Sequence, residues 1–514
     1  MRTRALVSAL LLPLALVWAC QSVPPAHEAE QVEATAPETD KLEVVERTLA
    51  VAVAGQTLGT VETRLEKAAD GTRTTRELVT FSVIREGGGD DAQFSSTSES
   101  VTVYDAKHQL VLDTEIEREA GITITRTVTI EGNELVSHYS GPGRPDDTKR
   151  FPLPADYRSP LEVDFELIAE WQQTGKPVTR KYSTFDASRE RFSPTEVTLT
   201  GTTEYELGGE VIPAYVFRTV EEDGSVIDAI TDHELTPLKV SAAGTFVATA
   251  VTEMPELGAA GRINAELPVA GRTNPDWREL ARQELTVTVE GDDPNGTSLW
   301  ENGHYHEVTR EGTSYRITLL STRPDQGFVA PKLPMSVSDP EVSRYLAPTA
   351  MAQSDDAKIV SRAKQIVGSE RDALLAAARI VEAVYDGLDK QAGVRGSATA
   401  TEVLQNGAGD CTEHAVLVVA LMRAAGIPAR VVDGIVMLSM PDGSGVAGYH
   451  AWAEIWLGQW IGVDATVNET GTSARYLQFG VDEPGMISSG GKMMRAIGKT
   501  AIELGPHKTY EQLP

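Results

Sequence analysis

The sequence predicts an α+β protein: a large β-rich N-terminal region followed by a C-terminal domain in which a helix packs on an antiparallel sheet. Three observations carry this. Residues 46–252 run as short apolar/polar alternations such as "ELVTFSVIRE" and "GITITRTVTIEGNELVSHYS", the period of half-buried strands. From residue 355 the period lengthens to that of amphipathic helices, in "DDAKIVSRAKQIVG" and "SERDALLAAARIVEAVYDGLDK". After the helical run "CTEHAVLVVALMRAA", which stops at Gly426 and Pro428, strand patterns return in "RVVDGIVML", "YHAWAEIWL" and "WIGVDAT".

The chain begins with Met1-Arg-Thr-Arg and an apolar run over residues 5–18, too short for a comfortable membrane span, and Ala19 then precedes Cys20. This resembles a bacterial lipoprotein signal, which implies lipidation of Cys20 and an envelope location. An outer-membrane anchor is favoured because glutamine follows Cys20. Simple cleavage after Ala19 would instead leave a periplasmic protein. Residues 20–45, rich in Pro, Ala and Glu, are expected to be a disordered tether.

The β-rich domain should fill 46–252, as an open barrel or stacked meanders, with one helix near "SPLEVDFELIAEWQQTG". Residues 253–345 read as a connector and a second strand-rich segment, 350–480 as the C-terminal domain and 481–514 as a tail. Ser369 with Asp372 fits a capping box, and Leu374, Leu375, Ala378, Val381 and Leu388 are candidates for one buried face.

Composition narrows function. The formal net charge of -29 argues against nucleic acid as a partner, because phosphates repel such a surface. Only two cysteines occur in 514 residues. If Cys20 is lipidated, Cys411 has no partner within its own chain, and an unpaired thiol is either core filler or a nucleophile. Cys411 falls in the first turn of its helix, where free backbone N–H groups and the helix dipole favour a thiolate. An imidazole must then take and return the proton, and His450 is the candidate, on a strand that places Trp452, Glu454 and Trp456 on the same face. Asp464, on the next strand, can orient that imidazole. A two-residue turn at Gly458-Gln459 would send Asp464 to the face opposite His450. A three-residue loop, Leu457-Gly458-Gln459, pairs Trp456 with Trp460 and puts both on one face.

"GDCTEHAVLVVALMRAAGIPARVV" followed by "YHAWAEIWLGQWIGVDAT" resembles the core of the transglutaminase-like superfamily, related to papain-like cysteine proteases, over residues 355–480. The resemblance implies a Cys-His-Asp triad, here Cys411, His450 and Asp464, that attacks amide bonds through a thioester. It implies a protein or peptide substrate and no cofactor, and leaves hydrolysis and acyl transfer to an amine both open. A different class of reading keeps the fold as a scaffold and makes the protein a non-catalytic binding lipoprotein.

Around this set, Gln405 is a weak candidate oxyanion donor, its alternative being an exposed helix end. Trp452 is expected to wall the cleft. His414, one helical turn after Cys411, is read as supporting rather than as the base, and Asp410 as a helix cap. His304 and His306 share a strand face but lack a third ligand, so an exposed strand is the expectation rather than a metal site.

Overall fold

The computed structural model describes residues 41–512 apart from 54–55, 87–91, 120–121, 141–146, 188–190, 223–225, 243–245, 256–260, 265, 268, 272–275, 292–297, 350, 391–397, 440–443, 482–495 and 497–498. Cys20 and its leader lie outside the described residues. Two compact units divide principally between Arg262 and Ile263.

The first unit is built on a 15-stranded sheet, laid down as an antiparallel meander. Its first strand, Lys41–Val53, sits mid-sheet between Gln56–Ala68 and Phe246–Val251, so that Thr48 faces Val251 across 200 residues of sequence. The strand starts inside the expected tether: Lys41 pairs with Ala68 and Glu43 with Lys67. Period-two alternation supplies the apolar face, as in Leu49, Val51 and Val53 with Val61, Leu65 and Val79. The expected helix is present as Pro160–Thr174, begun by proline in its first turn and ended by Gly175 at φ 64°. It joins the two outermost strands, Asp147–Pro152 and Val178–Asp186, whose Phe151 and Phe185 rings lie 5.1 Å apart.

Among the described residues, the second unit holds a two-stranded sheet, Asp389–Lys390 with Ala408–Gly409, and two large ones. One has five strands, among them Leu280–Val289, His306–Glu311, Ser314–Leu320 and Thr500–Thr509. The segment expected as a C-terminal tail therefore supplies an inner strand, paired with Leu280–Val289. Nothing local marks it, since its pairing partner lies more than 200 residues upstream.

The other sheet has six strands, ordered Glu469–Thr470, Trp460–Asp464, Gly445–Trp456, Ala429–Ser439, Tyr476–Val481, with a short strand at Glu266–Leu267 pairing off that path. Against it pack four helices: Ala357–Val367, Ala373–Gly387, Ala400–Asn406 and Cys411–Ala424. The last is the central one, with every residue from Glu413 to Arg423 buried. Its aliphatic side chains meet Ala451, Ala453 and Ile455 of the strand and Ala376, Ala377 and Ile380 of the neighbouring helix. Each large aliphatic buried there contributes about 1.5–3 kcal/mol.

Two local expectations are corrected in this layer. Asp372, not Ser369, caps the second helix, its side chain accepting from Leu374 N and Leu375 N. Of the expected face, Val381 and Leu388 are buried, while Leu375 is 55% exposed, and Ala373, Ala376, Ala377, Ile380 and Val384 make up the rest of the buried face. Alanines there let the helices approach closely, which leaves Leu374 only partly buried at the edge of the core.

Candidate active site

Asp410 ends the strand-like approach Ala408–Gly409 and caps the cysteine helix by accepting from Thr412 N at 2.9 Å. Glu413 completes a capping box by accepting from Asp410 N at 2.9 Å. Gly409 makes this possible, because a Cβ there would lie 2.4 Å from Glu413 Cβ. Burial, then repulsion from the Asp410 charge, pushes the Glu413 carboxyl well above the usual carboxylate range. Cys411 is the first residue of the helix, a free thiol, partly exposed.

The adjacent strands bring His450 and Asp464 together. Trp456 pairs with Trp460, so the hairpin loop is Leu457–Gly458–Gln459, with Gly458 at φ 94°. Odd loop length places Asp464 on the face of Trp452 and, diagonally, of His450. His450 Nε2 lies 2.7 Å from Asp464 Oδ2. A carboxylate only accepts, so this contact puts a proton on Nε2 and leaves Nδ1 free of Asp464. Burial alone would lower the His450 pKa. The Asp464 charge and hydrogen bond, with the Cys411 contact, outweigh it and raise the pKa to about 10. Burial would likewise raise Asp464, but His450, Tyr476 and the Arg475 charge hold it well below the ordinary carboxylate value. The arrangement can keep an imidazolium beside a sulfur, oriented by a fixed carboxylate.

Support beneath this set was not apparent from sequence. Tyr476 Oη donates to Asp464 Oδ2 at 2.8 Å, and Thr466 N donates to Oδ1 at 2.8 Å. Arg475 Nη2 donates to Tyr476 Oη at 2.7 Å and lies 3.2 Å from Glu469 Oε2. Gly434 faces His450 across the strand pair, and a Cβ on it would sit 2.2 Å from Leu477 O and 2.6 Å from the Trp452 ring. An isolated glycine inside a strand pattern was the available signal for that close approach. Glu454, fully buried, accepts from Arg430 Nε and Nη2, each at 2.7 Å, and from Tyr305 Oη.

The remaining candidates fall as follows. Trp452, expected to wall a cleft, is 1% exposed and packs with Val432, Val436 and Tyr476. It stacks near His450, ring centroids 6.3 Å apart, and supports it from within the core. Period-two reasoning gave its face but not its depth. Gln405 is exposed in the last turn of Ala400–Asn406, as the helix-end alternative expects. His414 is fully buried, with Nδ1 2.6 Å from Asp410 O. A carbonyl only accepts, so the proton sits on Nδ1, which fits a supporting role. His306, expected on an exposed strand, is 6% exposed beside Tyr476 O, and burial lowers its pKa to about 4. Its neighbour His304 is exposed. Among the described residues, no three His, Cys, Asp or Glu side chains converge as metal ligands, and no helix is long and apolar enough to cross a membrane.

Comparison with known proteins bears on residues 360–465. The family model of the transglutaminase-like superfamily matches residues 360–465. An uncharacterised protein of Mycobacterium leprae is 30% identical over 155 residues, 29% of this chain and 53% of that protein. The chain thus spans about half the length of the curated relative it matches. Among solved structures, a candidate cysteine protease from Cytophaga hutchinsonii is 16% identical at a TM-score of 0.28, covering 45% of this chain and 86% of that one. The periplasmic domain of TgpA from Pseudomonas aeruginosa is 17% identical at a TM-score of 0.27, covering 42% and 95%. A β-barrel-like protein from Brucella abortus, of a domain of unknown function, is 12% identical at a TM-score of 0.32, covering 40% and 94%. The helices and sheet around Cys411, His450 and Asp464 therefore form, over residues 360–465, a transglutaminase-like domain.

Proposed function

We propose that the protein is an exported, lipid-tethered cysteine enzyme that acts on amide bonds of a protein or peptide through a thioester. The observation that carries this is the 2.7 Å contact of His450 Nε2 with Asp464 Oδ2, with Cys411 at a helix start and raising the His450 pKa, all within the matched family region.

In this reading the Cys411 thiolate attacks the amide carbonyl carbon and its electrons move onto the carbonyl oxygen. The tetrahedral adduct collapses as the C–N bond breaks, and the departing nitrogen takes the proton from His450 Nδ1. Asp464 keeps the imidazole in the orientation and tautomer that this transfer needs. The resulting thioester is then opened by water, giving hydrolysis, or by a primary amine, giving acyl transfer. His450 takes the proton of the incoming nucleophile in either case. Lipidation of Cys20 would hold this chemistry at an envelope membrane.

The test is to supply casein as a glutamine-rich acceptor together with a biotin-tagged primary amine, and to follow both ammonia release and biotin incorporation. Turnover lost in Cys411→Ala and in His450→Asn supports the proposal, and the presence or absence of biotin separates transfer from hydrolysis. To cover a mismatched substrate, an alkyne-tagged iodoacetamide is applied in parallel. Labelling of Cys411 that is no faster than that of a denatured thiol and indifferent to His450→Asn would return the protein to the binding class.

A further inference from the structure

Resting on Asp464 as the acid of that site, we infer that Tyr476, Arg475, Glu469 and Trp277 form a positioning relay for Asp464. Its members lie outside residues 360–465, so the chain's own flanking segments complete the site that the family region begins.

The geometry is directional. Asp464 Oδ2 accepts twice, from His450 Nε2 at 2.7 Å and from Tyr476 Oη at 2.8 Å. A phenol has one proton to give, and two acceptors compete for it: Asp464 and Glu469 Oε2, the latter at 3.0 Å. Arg475 decides the competition. Its Nη2 donates into the Tyr476 oxygen at 2.7 Å and also partners Glu469 at 3.2 Å, so Glu469 has a second donor and the phenol proton goes to the nearer acceptor, Asp464. Glu469 is anchored in turn by Ser473 N at 2.7 Å. Arg475 is fixed from behind by the Trp277 ring, whose centroid lies 3.5 Å from the guanidinium carbon.

All three polar members are nearly sealed from solvent: the Arg475 and Glu469 side chains are 2% and 6% exposed, and Tyr476 is 2% exposed. Burial, with the Asp464 charge next, holds the Tyr476 phenol well above its ordinary pKa, so it remains a donor. A carboxylate with a single neutral ring as neighbour could rotate. One held by His450, Tyr476 and Thr466 N cannot, and its Oδ2 stays where the imidazole needs it.

The experiment follows alkylation of Cys411 by iodoacetamide in the full chain from pH 5 to 9, read by mass spectrometry of the Cys411 peptide. His450→Asn is the reference for loss of the site. Tyr476→Phe should slow alkylation at neutral pH by about tenfold, the worth of one hydrogen bond to a charged group. It should also move the acid limb to higher pH, because an Asp464 free to rotate stabilises the His450 imidazolium less. Trp277→Ala should shift the profile the same way by a smaller amount, and Trp277→Phe, which keeps a ring over Arg475, should restore it. If Tyr476→Phe does not fold, the two Trp277 variants carry the test. A wild-type profile in Tyr476→Phe or Trp277→Ala, with His450→Asn slow, overturns the relay alone. A wild-type rate in His450→Asn overturns the triad on which the relay rests.

Discussion

His450 Nε2 and Asp464 Oδ2 meet at 2.7 Å because Trp456 pairs with Trp460 across the loop between their strands. Leu457 N bonds Gln459 O across that loop at 3.0 Å, and Gly458 takes a positive φ with no heavy atom within 4 Å of where a Cβ would stand. Gly458→Ala should therefore cost about 1 kcal/mol from backbone conformation alone, without a clash. Cys411 alkylation should be unchanged in that variant. Deleting Gln459 should leave Leu457–Gly458 as a two-residue loop with Trp456 still opposite Trp460, so Asp464 keeps the face of His450. The deletion variant should therefore keep the dependence of alkylation on His450, with urea unfolding confirming that it remains folded.

The register of this hairpin was legible because period-two geometry and loop parity are local. So were the Asp410 cap and the helix stop at Gly426. What sequence could not supply were contacts made by returning strands. Tyr476 and Arg475 sit in "SARYLQFGV", an ordinary strand pattern, and gain their meaning only when that strand pairs with Ala429–Ser439. Thr500–Thr509 looked like a tail because its partner, Leu280–Val289, lies so far upstream. Trp452 shows the same limit in another form. Alternation fixes a face, while depth depends on what other segments cover it.

Gly434 tests whether that unforeseen packing matters. A Cβ there would meet Leu477 O at 2.2 Å and the Trp452 ring at 2.6 Å, and neither backbone carbonyl nor buried indole can move aside easily. Gly434→Ala should destabilise the protein by about 1–3 kcal/mol, the range for overpacking a filled core. Because Gly434 faces His450 directly, the variant should also slow Cys411 alkylation at urea concentrations where it remains folded. A wild-type unfolding midpoint would contradict the packing described here.

Two buried histidines give stability opposite pH slopes. His306 has its pKa lowered to about 4, so between pH 6.5 and 4 the unfolded chain binds a proton that the folded one does not. Stability should fall with pH across that window, by up to about 3 kcal/mol, and His306→Gln should flatten the slope. His450 has its pKa raised to about 10. Its contribution is fully present below the unfolded value near 6.5 and is lost as pH rises toward 10, so His450→Gln should remove part of the decline on the alkaline side. Asp464, held low, keeps its contribution until the pH drops well below the ordinary carboxylate range. Urea midpoints at several pH values distinguish all three.

Glu413 sits buried at the start of the cysteine helix. Its side chain is 2% exposed, one oxygen accepts from Asp410 N, and burial with the nearby Asp410 charge pushes its carboxyl well above the usual carboxylate range, toward the protonated form. A protonated carboxyl and a carboxamide have nearly the same shape, and both can accept from a backbone N–H. Glu413→Gln should therefore change stability by less than about 0.5 kcal/mol, where an ionised, charge-paired glutamate would lose far more. Glu413→Ala removes the acceptor for Asp410 N and leaves a void against Gly409, and should cost about 1–2 kcal/mol. Cys411 alkylation should track the same order, because the carboxyl acts on the thiol only through the cap that fixes the first turn. A Glu413→Gln variant as unstable as Glu413→Ala would mean that the carboxylate is charged in the folded protein and that the cap is held by a charge pair.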